Sequence, residues 1–288
     1  IARRKREVQR MKRKLYKAGI LAAAGIIVLA VILMLCGSGN AKKSAKKTSS
    51  AKKKTETETK TPEEIEAEKV QEVLDSDQYK DQLGELYKKN PETKEIILNR
   101  EKYSDDLLTW LFDHQEALQW VIDYPEQSAR SEEELSAQGL QAVDLKDYRI
   151  QNHIPVYFQW SEVWGYASYG SENIGMGGCG PTSLSMVATG LTGNTSFTPK
   201  YVADMSVNMG YYVDEVGTDR TLMTAGASEL GINSAQLTNW SEDTLKSELS
   251  AGHPIICSMG PGDFTNQGHF IVLSGLTEEG KVLINDPN

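Results

Sequence analysis

Gly175-Met176-Gly177-Gly178-Cys179-Gly180-Pro181-Thr182-Ser183-Leu184-Ser185-Met186-Val187 places one cysteine inside a run of four glycines and follows it with a helix start. Glycines let the backbone turn sharply and let a carbonyl approach the cysteine closely. The fixed φ of Pro181 suits the first turn of a helix, so a helix over 181–192 is expected, with Cys179 at its N-terminus. The unpaired N–H groups and the dipole at such a terminus favour thiolate over thiol. Thiolate is the form that attacks a carbonyl. A small buried cysteine at a tight turn is the plainer alternative, and the density of glycine weighs against it.

A nucleophilic cysteine needs a base, and the chain has four histidines. His114 falls on a helical pattern and reads as a surface residue, His153 sits in a turn before Pro155, and His253 lies between a helix stop and a strand. His269 opens Gly268-His269-Phe270-Ile271-Val272-Leu273, the most strand-like run in the chain, and a rigid strand positions a base better than a loop does. Thr277-Glu278-Glu279-Gly280 is the natural turn between strands over 269–276 and 281–286. If Leu276 faces Lys281, then Ile271 faces Asp286 and His269 faces Asn288, making His269 and Asp286 diagonal neighbours on one face. A carboxylate there can fix the tautomer of the imidazole and stabilise the imidazolium; Asn288 could serve in its place. A turn one residue longer or shorter would break this register. For a developing oxyanion, the backbone N–H of Cys179 is one donor, and Gln159, in Pro155-Val156-Tyr157-Phe158-Gln159-Trp160, offers a side-chain amide.

Around this centre the pattern predicts helices over 181–192, 199–209, 219–230 and 242–251, with Gly231 and Gly252 where C-caps belong, and strands over 254–259, 269–276 and 281–286. Helices followed by neighbouring strands indicate an α+β domain with an antiparallel sheet. This domain is expected over 151–288, since glycine, tyrosine and serine become dense near residue 150. Residues 61–150 read as a helical segment. Thr61-Pro62-Glu63-Glu64 is a helix start, and stripes at helical spacing follow, among them Leu83, Leu86 and Tyr87, then Leu107, Leu108 and Leu111. Trp110 and Trp120 are expected in its core.

The N-terminal part differs in kind. Residues 1–60 carry 17 Lys and Arg against 3 Asp and Glu, a charge of +14, whereas residues 61–288 carry 14 against 37, a charge of −23. Ala18 to Cys36 contains no charged residue. As a helix it would span roughly 28 Å, about the thickness of a bilayer's hydrocarbon core. The basic tail over 1–17 would stay in the cytoplasm, with the remainder outside the cell. Residues 37–60, rich in Lys, Thr and Ser, read as a solvated linker. The acidic body gives no reason to expect nucleic-acid binding. Three cysteines do not make a disulfide framework, and no Cys/His cluster has zinc spacing, so neither a metal nor a cofactor is expected. The first residue is Ile and the last residues stop just after a strand pattern, so a fragment is expected at both ends.

The order Gln159, then Cys179-Gly180-Pro181-Thr182-Ser183, then Gly268-His269-Phe270-Ile271-Val272, then Asn285-Asp286-Pro287 resembles the papain-like cysteine peptidases related to bacteriocin-processing, double-glycine leader peptidases, and looks closest to a stand-alone, membrane-anchored branch. The resemblance covers roughly residues 153–288. It implies a papain-like fold in which the cysteine helix packs on an antiparallel sheet bearing the histidine. It implies Cys179 as nucleophile, His269 as base, Asp286 as the orienting group and Gln159 as oxyanion donor. The expected partner is a peptide or peptidoglycan-peptide substrate. The chain lacks a transporter domain and any nucleotide-binding Gly-x-x-x-x-Gly-Lys-Ser/Thr loop. A peptidoglycan amide hydrolase with the same triad, and a catalytically silent surface binding module, are the alternatives.

Overall fold

The computed structural model describes residues 60–131, 133–134 and 148–288. The expected basic tail, the membrane-spanning helix over 18–36 and nearly all of the linker lie outside the described residues. Among the described residues no helix is long and apolar enough to cross a membrane.

The helical segment begins where its capping signals stand. Helix α1 (Pro62–Ser76) has Thr61 as N-cap, and the Thr61 and Glu64 side chains close a capping box, satisfying two otherwise unpaired N–H groups. Helices α2 (Lys80–Lys89), α3 (Lys94–Leu98), α4 (Asp105–Asp113) and α5 (Leu118–Gln127) follow. The predicted stripes meet in one core of Val70, Leu74, Leu83, Leu86, Ile96, Ile97, Leu107, Leu108, Leu111 and Trp120.

Residues from 150 onward form a mixed α and β structure with small antiparallel sheets. Strands β1 (Ile150–Gln151) and β2 (Ile154–Pro155) pair, as do β3 (Ser168–Tyr169) and β4 (Glu172–Asn173). One short helix, α6 (Ile174–Gly177), leads into α7 (Cys179–Thr192). Helix α8 (Pro199–Asn208) follows, then the paired strands β5 (Tyr212–Val213) and β6 (Gly217–Thr218). The helix expected over 219–230 divides into a 3-10 turn (Arg220–Met223) and a short α9 (Ala225–Glu229). The Thr224 hydroxyl donates to the Thr221 carbonyl at the break, the local competition that makes Ser and Thr poor helix-interior residues. Helix α10 (Glu242–Ser250) precedes the three-stranded antiparallel sheet β7 (Ile255–Met259), β8 (His269–Leu276) and β9 (Val282–Asn285).

Helix α7 is buried on all sides from Gly180 to Thr189, with Thr182, Ser183, Ser185 and Thr189 among its buried residues, because it is the centre of this part of the molecule. Met186 and Val187 pack with Tyr157, Tyr169, Ile174 and Val272. Leu184 and Ala188 pack with Val202, Leu222, Ala227 and Leu230. Strand β8 is covered on both faces: Val272 meets the α7 core, and Ile271 and Leu273 meet Leu249 of α10.

The helical segment and the residues after 150 share one compact unit, Lys60–Asn288. Trp120 is the hinge pin of their packing. Its ring stacks on Tyr166 at 5.2 Å, and the Tyr166 hydroxyl donates to the Trp120 carbonyl oxygen at 3.1 Å. It also lies so close to the cysteine loop that a Cβ on Gly175 would come within 2.3 Å of the indole. Truncating a buried tryptophan costs about 3–5 kcal/mol. Trp120→Ala is therefore expected to lower a single thermal transition of the whole unit. Two transitions, only one of them moved, would contradict this packing.

Candidate active site

The three-stranded sheet sets the geometry. Near its open end β8 and β9 pair Val272 with Asn285 and Leu273 with Ile284; at the turn they pair Gly275 with Leu283 and Leu276 with Val282. The connection is thus one residue longer than the predicted turn. A β-bulge between Leu273 and Gly275 takes up the extra residue, so the offset expected at the His269 end is restored. Bulges of this kind re-aim side chains near functional sites.

Buried polar side chains hold the bulge. The Ser274 hydroxyl donates to Asn285 Oδ1 at 3.0 Å, and Gln151 Nε2 donates to the same oxygen at 2.5 Å. Asn285 Nδ2 donates to the Pro155 carbonyl oxygen at 3.0 Å, and Asn152 Nδ2 donates to the Ser274 carbonyl oxygen at 2.8 Å. Asn285 and Ser274 are buried, and both polar ends of the Asn285 amide are paired, so the network adds rigidity without a buried orphan. A Cβ on Gly275 would fall 2.4 Å from Asn152 Nδ2, which explains a glycine at the bulge.

In this register His269 Nε2 and Asp286 Oδ1 stand 2.8 Å apart. The carboxylate also accepts the Asn288 backbone N–H at 3.0 Å, so its orientation is fixed from two sides. With Nε2 on Asp286, Nδ1 is the ring nitrogen left for Cys179. Burial of the ring disfavours its charge, but hydrogen bonds to Asp286 and Cys179 and the charges on both outweigh burial and raise His269 from 6.5 to about 9. Such a ring is protonated at neutral pH.

Cys179 is the first residue of α7 and partly exposed. The helix starts two residues before Pro181, and its first N–H groups have no intrahelical acceptor. Thr218 of β6 lies on the next residue: a Cβ on Gly180 would meet its Oγ1 at 2.5 Å. Tyr169 secures that wall, with its hydroxyl 2.7 Å from Thr218 Oγ1 and 3.0 Å from Ser206 Oγ; burial pushes its phenol up to about 12. Neither residue was singled out by the sequence, which gave no periodic signal for two-residue strands. Cys257, paired with Ile271 in the sheet, has its thiol pushed up by burial.

Gln159 is buried beside the cysteine loop. Its Nε2 donates to the carbonyl oxygens of Gly175 at 2.8 Å and Met176 at 3.2 Å, while its Oε1 has no partner among the described residues. Its backbone N–H donates to the Pro287 carbonyl oxygen at 2.8 Å. Gln159 therefore touches both the loop before Cys179 and the residue after Asp286. His114, read from the sequence as a surface residue, is half-buried; its Nε2 lies 3.2 Å from Asn288 Nδ2. Among the described residues no group of three or more His, Cys, Asp or Glu could hold a metal ion.

Residues 151–288 match the Peptidase_C39 like family. The match supports a C39-like cysteine peptidase domain over that stretch, in keeping with the α+β structure described above. No curated protein and no solved structure matches the chain.

The raised pKa of His269 links protonation to stability. Below pH 6.5 folded and unfolded chains both hold the proton, and the stabilisation, about 3 kcal/mol at most, is fully present. Between 6.5 and about 9 the folded chain alone keeps the proton, so stability falls with rising pH and the contribution is gone above that window. The melting temperature should decline across this range in the wild type and much less in His269→Ala. An equal decline in both would contradict the assignment.

Proposed function

We propose that this protein is a thiol peptidase that hydrolyses a peptide or peptide-like amide bond through Cys179, His269 and Asp286. The observation that carries the reading is the 2.8 Å contact of His269 Nε2 with Asp286, which turns the other ring nitrogen to a cysteine at a helix start. The family match over 151–288 supports the same chemistry.

The thiolate of Cys179 attacks the carbonyl carbon, and the negative charge moves to the carbonyl oxygen. The backbone N–H of Cys179 is one donor to that oxyanion. Gln159 is the second: one N–H stays on the Gly175 carbonyl, and the other turns from Met176, its longer contact, to the substrate. The imidazolium of His269 gives its proton to the leaving amine as the C–N bond breaks, leaving a thioester. His269 then takes a proton from water as the water attacks the thioester, releasing the acid and restoring the ion pair. Asp286 holds the ring throughout.

The same reading places the peptidase outside the cell, anchored by a helix over 18–36 and held off the membrane by the 37–60 linker. The charge-free run and its basic flanks support this placement.

The test is digestion of a mixture of unstructured peptides and muropeptides by the full chain, read by mass spectrometry. Wild type should produce defined fragments, and Cys179→Ala none. Gln159→Ala should be slower by about 100-fold. Fragments that persist in Cys179→Ala, or a folded wild type that cuts nothing, would contradict the proposal.

A further inference from the structure

The helical segment meets the turn after Asp286 at His114. The C-terminal residue of α4 is followed by His114, whose ring stacks on Trp110 at 4.3 Å. Its Nδ1 lies 2.7 Å from the Trp110 carbonyl oxygen. A carbonyl can only accept, so Nδ1 carries the hydrogen and Nε2 is the acceptor in the neutral ring. Asn288 Nδ2, 3.2 Å away, is the donor to it. The backbone N–H of Asn288 in turn donates to Asp286 Oδ1, the oxygen that holds His269 Nε2.

We propose that His114 is a positioning residue of the Cys179–His269–Asp286 site, acting through Asn288 on the orientation of the Asp286 carboxylate. The inference rests on the peptidase reading and adds to it a role for the helical segment. The turn Asp286-Pro287-Asn288 is pinned twice: Gln159 holds the Pro287 carbonyl, and His114 holds the Asn288 side chain. Release of the second pin frees Asn288 to rotate, and its N–H no longer meets Asp286 at a fixed angle. The carboxylate then stabilises the imidazolium less well. By this account the helical segment is a working part of the site; removing it would loosen the dyad, not uncover it.

Two substitutions separate this role from a local one. His114→Asn retains an amide N–H at the place of Nδ1, and so the bond to Trp110, but cannot reach Asn288. His114→Gln places an amide oxygen near the place of Nε2 and keeps the Asn288 contact while losing the Trp110 bond. The measurement is the NMR titration of His269 in the full chain carrying labelled histidine. With four histidines in the chain, the signals are few enough to assign through His269→Ala. In wild type His269 should keep its proton to about pH 9. His114→Asn should weaken that proton's binding three- to tenfold, the yield of one lost hydrogen bond, whereas His114→Gln should stay near wild type. An unchanged titration in His114→Asn, or the reverse order of the two variants, would overturn the positioning role and leave the peptidase reading standing. A wild-type His269 that titrates at 6.5 would overturn the dyad itself.

Discussion

The register between β8 and β9 is the constraint on which the site depends. His269 sits at the start of one strand and Asp286 just past the end of the other, so their 2.8 Å contact exists only at one offset of the two strands. A slip of one residue would send every side chain of β9 to the opposite face. Apolar packing on both faces of β8 resists that slip. The buried Ser274, Gln151 and Asn285 contacts add a polar lock that only one register satisfies. Asn285 also ties β9 to the Ile154–Pro155 strand, which leads directly to Gln159. The segments bearing His269, Asp286 and Gln159 are thus held by one network.

Much of this was legible because strong periodic signals carry it. The Phe270-Ile271-Val272-Leu273 run announces a doubly buried strand, and the glycine-flanked Cys179 before Pro181 announces a helix start. The approximate pairing of His269 with Asp286 could be read from hairpin arithmetic. The offset at the His269 end matches the expected one because two departures cancel: the turn is one residue longer than the four-residue turn the sequence suggests, and a bulge takes up the extra residue. The signal for the bulge was present, since Ser274-Gly275 interrupts an apolar strand with the residues that bulges favour.

What stayed hidden depends on long-range packing. Nothing local in the sequence joins Trp120 to Gly175, or Thr218 to Gly180, because each pair meets only after the chain has folded. The same holds for His114, whose helical pattern suggests solvent and whose Nε2 meets a residue 174 positions away. The apparent change of character near residue 150 marks a change of secondary structure; the packing of Trp120 on Tyr166 runs across it. Gln159 shows a further limit. Its position in the motif order is plain, but its bonds to the Gly175 and Met176 carbonyls show a side chain that also braces the cysteine loop.

Cys179 must be activated if the site works as proposed, and its reactivity beside that of Cys257 tests this most directly. The full chain would be treated with a limiting amount of iodoacetamide at neutral pH, and alkylation of each cysteine followed by peptide mass spectrometry in wild type and His269→Ala. Cys257, whose thiol burial holds in the protonated form, serves as the internal reference. Cys179 should react at least about tenfold faster than Cys257, and His269→Ala should remove most of this advantage. Equal rates for the two cysteines in folded wild-type protein, or a Cys179 rate indifferent to His269, would contradict it.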